Sequence, residues 1–219
     1  MQTALWSAVV LLVIIGAAVV IRRAIHLIPI LFNGYHPPTT AASTAFSQFA
    51  GLDDIFARYP ILTLVHIFPA LVFLVLAPLQ FSRTFRERHL HMHRVNGRIL
   101  LICGMITGGS ALLMSFVMPA IGGVNQAAAT TLFAIIFLFS LGKAFSLIKR
   151  GEVARHREWM IRAFSTALAV ATIRPIIAVF FATSRFSGLT PYEFFGTGFW
   201  IGFVLHLIAA EVWIGRTRV

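Results

Sequence analysis

The chain has 219 residues, 58% of them hydrophobic and 11% charged, with a mean hydropathy of +0.87. No soluble domain of this size has an interior for so many apolar side chains, so a water-soluble globular fold is excluded and lipid must solvate the outward faces. The formal charge of +11, from 18 basic and 7 acidic residues, does not indicate a nucleic-acid partner, because the basic residues stand at the ends of apolar runs.

A hydrocarbon core about 30 Å thick takes roughly 20 residues of helix to cross. Six apolar runs meet that length, at residues 4–32, 61–81, 99–118, 127–149, 163–183 and 194–214. The expected fold is all-α: an integral membrane bundle of six transmembrane helices, one domain over residues 1–219. The first run has neither a basic start nor a small-residue cleavage site, so it reads as a retained helix. A connection rich in Pro, Thr and Ser follows from Asn33 to Tyr59, with Asp53 and Asp54 in it. The third run contains Cys103, the single cysteine, so no intrachain disulfide is possible. The fourth contains Lys143 near its end, where a long side chain extends its charged head to the interface.

Orientation follows from the arginines. The link between spans two and three holds Arg83, Arg86, Arg88, Arg94 and Arg98, and the link between spans four and five holds Lys149, Arg150, Arg155, Arg157 and Arg162. Arg216 and Arg218 follow span six. Six spans put these three regions on one side, which the positive-inside rule makes cytoplasmic, together with both termini. Arg22 and Arg23 depart from the rule, since this topology carries them near the outer face. Either the pair has a role there, or span one is short or tilted.

The stretch HLHMHRVNGR, residues 89–98, alternates His89, His91 and His93. On a strand that spacing would present three imidazoles for zinc. Five arginines crowd the stretch with only Glu87 to offset them, and the link reads as a turn, so no metal site is expected. An anion suits the region better. Arginine forks fit carboxylates and phosphates, and the amino ends of spans three and five add unpaired N–H groups. If those helices are neighbours, Arg94, Arg98, Arg157 and Arg162 would surround one anionic group. The alternative is contact with anionic lipid headgroups, worth about 1 kcal/mol per residue. His93-Arg94 before Arg98 and His156-Arg157 before Arg162 also look like copies of one helix hairpin.

Arg174 lies mid-span in AVATIRPIIAVFF, at least eleven residues from the arginines on either side. A charge at that depth costs from about 3 kcal/mol upward, so it should face the bundle interior and have a partner. Pro175 beside it removes a backbone donor. Glu211, near the inner end of span six, is the one acid inside an apolar run. His66 lies roughly 9 Å below the outer boundary, and His206 roughly 15 Å above the inner one, at about 1.5 Å per residue. Each can hydrogen-bond a neighbouring helix, or pairs of such histidines can ligate a haem iron with arginines on its propionates. Gly104, Gly108 and Gly109 in span three fit close helix packing.

From His66 through Arg174 the sequence resembles a bacterial membrane-protein family known as domain of unknown function 2306. The pieces are His66, APLQF at 77–81, HRVNGR at 93–98, HREWMIRAF at 156–164 and TIRP at 172–175. The resemblance implies a multi-pass protein of the bacterial inner membrane. More loosely, histidine-bearing helices with arginines at their ends are similar to two-haem cytochromes of the b561 type, which implies haem b. The leading expectation is a redox-linked protein with a b-type haem or quinone site between helices. His66, His93, His156 and His206 are then ligand candidates, and Arg94, Arg98, Arg157, Arg162 and Arg174 the grips for anionic oxygens. Two alternatives stand beside it: a non-enzymatic accessory or assembly subunit bound to lipids and other membrane subunits, and a small-anion transporter with Arg174 as its counter-charge. Hydrolysis lacks a nucleophile with a base in recognisable spacing.

Overall fold

The computed structural model describes residues 2–35 and 53–218, with side chains from Leu5 onward. Its described residues are helical or in turns, with no strand. Six helices are long and apolar enough to cross a membrane. They are α1 (Gln2–Asn33), α2 (Pro60–Phe81), α3 (Leu90–Val117), α4 (Gly123–Lys149), α5 (Val153–Ser187) and α6 (Pro191–Thr217). A short helix, Arg83–Arg88, joins α2 to α3, and residues 53–57 form a helical turn ahead of α2.

Two helices begin well before the apolar runs that announce them. The third run starts near Ile99 and the fifth near Ala163, yet α3 opens at Leu90 and α5 at Val153. Apolar length marks only the part of a helix immersed in hydrocarbon. The backbone ladder continues outward until something breaks it, and neither 90–98 nor 153–162 contains a proline. The stretch 90–98, with His91 and His93, is therefore helix rather than turn, and His89 is the break between it and the short helix before it. At about 100° per residue, His91 and His93 point to opposite faces, with His91 exposed and His93 half-buried.

Helix α5 is central. It packs against α4 and α6 most extensively and against α1 and α2 as well, while α3 lies between α2 and α4. Toward the arginine-rich end the core is Phe73, Leu74, Leu100, Phe137, Leu141, Phe164 and Leu168. Toward the other end it is Phe133, Ile173, Ile177, Phe194, Phe195 and Phe203. The outward faces are apolar too, as Ile14, Ile25, Ile61, Ile102 and Val179 show.

Lipid tails are as apolar as leucine, so burial alone holds such helices together weakly and close contact must do more. A Cβ on Gly104 would stand 2.5 Å from Leu141 Cδ1, and one on Gly108 equally near Leu138 Cδ2. Gly109, expected to belong with them, faces open space. The least forgiving approach is between backbones: a Cβ on Gly122, in the α3–α4 turn, would lie 2.6 Å from Gly196 N on α6. Backbone cannot rotate aside as a side chain does. Gly122→Ala should cost about 1–3 kcal/mol as an overpacking change, whereas Gly109→Ala should cost nothing. Thermal unfolding in detergent compares the two.

Candidate functional site

Arg22 and Arg23, which break the orientation rule, have a partner just ahead of α2. Arg22 donates through Nη1 and Nη2 to the two oxygens of Asp53, at 3.1 and 3.0 Å. Arg23 bonds the same carboxylate and stacks over the Phe56 ring, 4.2 Å from its centroid. Arg23 is only 6% exposed, so this clasp ties α1 to residues 53–57 with a buried guanidinium. Burial would lift the Asp53 carboxyl, but the Arg22 hydrogen bond and the charges of Arg23, Arg22 and His26 outweigh it. They hold the group below the ordinary carboxylate range. Beneath the clasp, Ala24, Leu27, Ala57 and Leu64 close a small apolar cluster.

Under this clasp the helices part around a cavity of about 300 Å³. Its wall is mostly apolar: Val19 and Val20 of α1, Phe73 of α2, Met114 of α3, Phe133 and Phe137 of α4, Val170 of α5, and Phe199 and Phe203 of α6. Phe133 and Phe203 stack at 4.4 Å between centroids. The polar members of the wall include Arg23, Thr63, His66, Thr107, Gln126 and Arg174. Most of their hydrogen-bonding capacity is turned back on the protein. The Thr63 hydroxyl donates to Tyr59 O, and Gln126 Oε1 accepts from Gly122 N. His66 Nδ1 lies 3.1 Å from both Thr107 O and Ser110 Oγ. A carbonyl only accepts, so Nδ1 carries the hydrogen and Nε2 of the neutral ring is left as an acceptor. The Thr107 hydroxyl is buried without a hydrogen-bond partner among the described residues.

Arg174 is the exception in kind. Its side chain lines the cavity, and among the described residues it makes neither a hydrogen bond nor an ion pair. The chain's seven acids explain why. Asp53 serves Arg22 and Arg23, Asp54 serves Arg58, Glu87 serves Arg83 and Glu152 serves Arg155. Glu211 holds Arg162 and Glu158 holds Arg218, while Glu193 closes the capping box of Thr190 at the start of α6. No acidic side chain is left for Arg174. Pro175 follows it and cannot donate to the Ala171 carbonyl, so the helix ladder is open by one bond at the cavity wall.

The nine candidate residues therefore do not converge. His66 and Arg174 share the cavity, whereas the others lie outside its wall. Arg94, Arg98, Arg157 and Arg162 do not surround one group, as the neighbouring helix ends had suggested. Arg94 and Arg98 are exposed. Arg157 donates to the Thr217 hydroxyl at 3.0 Å, and Arg162 makes a two-point bond to Glu211 at 2.6 and 2.9 Å while lying over Trp159. His206 Nε2 is 2.7 Å from Thr172 Oγ1, and His156 Nδ1 donates to Ala144 O at 2.8 Å. His93 Nδ1 is buried without a partner among the described residues. Arg23, Thr107 and Gln126 belong to the cavity and were not candidates in the sequence. Only Arg23 had advertised itself, through its breach of the orientation rule.

A model of the family described as predicted membrane protein (DUF2306) matches residues 63–214, most of the chain. The chain belongs to this family. The DUF2306 stretch contains both His66 and Arg174, while Arg22, Arg23 and Asp53 precede it. No curated protein and no solved structure matches the chain, so the looser likeness to two-haem cytochromes of the b561 type is not shown.

Proposed function

We propose that this multi-pass membrane protein binds a small amphipathic molecule within the bilayer, through an electron-rich oxygen held by Arg174. The observation that carries this reading is an uncompensated guanidinium facing a cavity in the hydrocarbon region, with every acid of the chain engaged elsewhere. A lone charge at that depth is costly, and an oxygen supplied by a ligand offsets the cost. The fork takes a carboxylate at two points or a carbonyl at one. The phenylalanine-rich wall then receives the apolar body, in a volume at the small end of ligand pockets. Native mass spectrometry of the detergent-purified protein tests it. A bound small molecule should be present in the wild type and absent from Arg174→Leu. A bound mass that persists unchanged in that variant would refute the assignment.

A quinone is the redox form of the same ligand class, and His66 favours keeping it in view. A hydroquinone hydroxyl can donate to the free His66 Nε2 while Arg174 donates to the other ring oxygen. A haem clamped by two histidines does not fit this cavity, because His66 is the one histidine lining it among the described residues. An organic extract whose ultraviolet spectrum changes on borohydride reduction would identify a quinone, and an unchanged spectrum would remove it.

The proposal carries an orientation in the bacterial inner membrane: arginine-rich end cytoplasmic, clasp and cavity in the outer half. Reporter fusions after Glu87 and after Glu152 should both score as cytoplasmic, and one near Thr40 as external. Opposite results from the first two would overturn the orientation.

A further inference from the structure

Two guanidiniums line the cavity, Arg23 and Arg174, and Arg22 stands exposed beside Arg23. Arg22 and Arg23 share one carboxylate, Asp53, and no acidic side chain pairs with Arg174 among the described residues. In a medium that screens poorly, such a group is short of negative charge. The intervening residues 36–52 contain no Asp or Glu, so the missing charge does not come from there. What Arg23 already holds also shows which anion fits: a carboxylate, shared between planar donors.

We propose that the cavity's ligand is an apolar monocarboxylate, and that its carboxylate bridges Arg23 and Arg174 by displacing Asp53 from Arg23. Asp53 is thus an internal competitor for the site. This rests on the binding reading above and adds to it the ligand class and the residue that opposes binding. The displacement is chemically reasonable for Asp53, because it leaves the carboxylate bonded to exposed Arg22, where water solvates both. The rest of the ligand lies along apolar side chains such as Val19, Phe73 and Phe133, which offer nothing to a second polar group.

Thermal unfolding of the full chain in detergent, titrated with decanoate and separately with methyl decanoate, tests this. Ligand that binds only the folded state raises Tm with concentration, so each titration yields an affinity. Wild type should be stabilised by decanoate and not by the ester, and Arg174→Leu by neither. Asp53→Asn should melt lower without ligand yet bind decanoate about tenfold more tightly, a 1.4 kcal/mol gain. If Asp53→Asn fails to fold, Arg23→Gln decides: weaker decanoate binding supports the bridge, and unchanged binding overturns it. Equal affinity in wild type and Asp53→Asn, with Arg174→Leu inactive, would remove the competitor while sparing the Arg174 site. Equal stabilisation by acid and ester would overturn the carboxylate class in favour of a neutral oxygen ligand. No response of the wild type to either probe would overturn the carboxylate class outright.

Discussion

Arg174→Leu is expected to abolish ligand retention while leaving the bundle folded, with a ligand-free transition temperature no lower than the wild type. Most buried charges behave the other way, because removing one partner of an ion pair strands the other. Here no partner is stranded, since the acids are engaged by Arg22, Arg23, Arg58, Arg83, Arg155, Arg162, Arg218 and the Thr190 cap. Leucine removes a desolvated guanidinium and adds apolar surface to an apolar wall. The binding loss should be at least about a hundredfold, because two hydrogen bonds to a charged group contribute about 3 kcal/mol or more together. Arg174→Lys keeps the charge and loses the fork, so it should fall between, about tenfold weaker than wild type. Paired melting curves and native mass spectra read both quantities. A fall in stability of several kcal/mol for Arg174→Leu would mean that a fixed group inside the protein depends on the guanidinium, and the dissociable ligand would then be the wrong explanation.

The architecture was readable because lipid imposes a length. Six apolar runs became six helices, and even α4, with Lys143 inside its last two turns, follows the run that marks it. Helix ends were less readable, since hydropathy reports immersion and says nothing about where backbone bonding stops. That is how ten residues ahead of Ala163, polar enough to resemble a loop, became the first turns of α5. His93 and His156, expected to open the third and fifth spans, do fall in the first turns of α3 and α5.

The site was readable in one residue. Depth made Arg174 costly, and a costly residue has to be explained. The arginine cluster at the opposite end was legible as charge but not as contact. What separates Arg94 from Arg162 is a carboxylate on another helix: Glu211 lies 49 positions from Arg162, and no local pattern links them. Arg22 and Arg23 pose the same difficulty at shorter range. Their breach of the orientation rule was visible, while Asp53, thirty positions on, sat in a connection whose composition suggested only a loop.

Asp53→Ala is the change expected to damage the fold most. It leaves the nearly inaccessible Arg23 without its carboxylate, and removing one member of a buried ion pair costs about 3–5 kcal/mol. Asp53 keeps 22% of its side-chain surface, and water reaching it discounts the loss to about 2–4 kcal/mol. Glu87→Ala provides the comparison, since Arg83 and Glu87 pair in the open and should part without measurable effect. The loss also has a pH signature. A carboxyl held below its ordinary range in the folded state stabilises the protein above its unfolded value, and that contribution disappears as acid titrates the folded group. Wild-type stability should therefore fall below about pH 4, the ordinary aspartate value, and the slope there should be shallower in Asp53→Ala. Arg22→Ala should cost far less, because its side chain is 60% exposed and its removal leaves Arg23 still bonded to Asp53. Urea or thermal unfolding of the three variants between neutral and acidic pH measures this order. If Arg22→Ala proves as damaging as Asp53→Ala, the exposed arm of the clasp, and not buried Arg23, carries its strength.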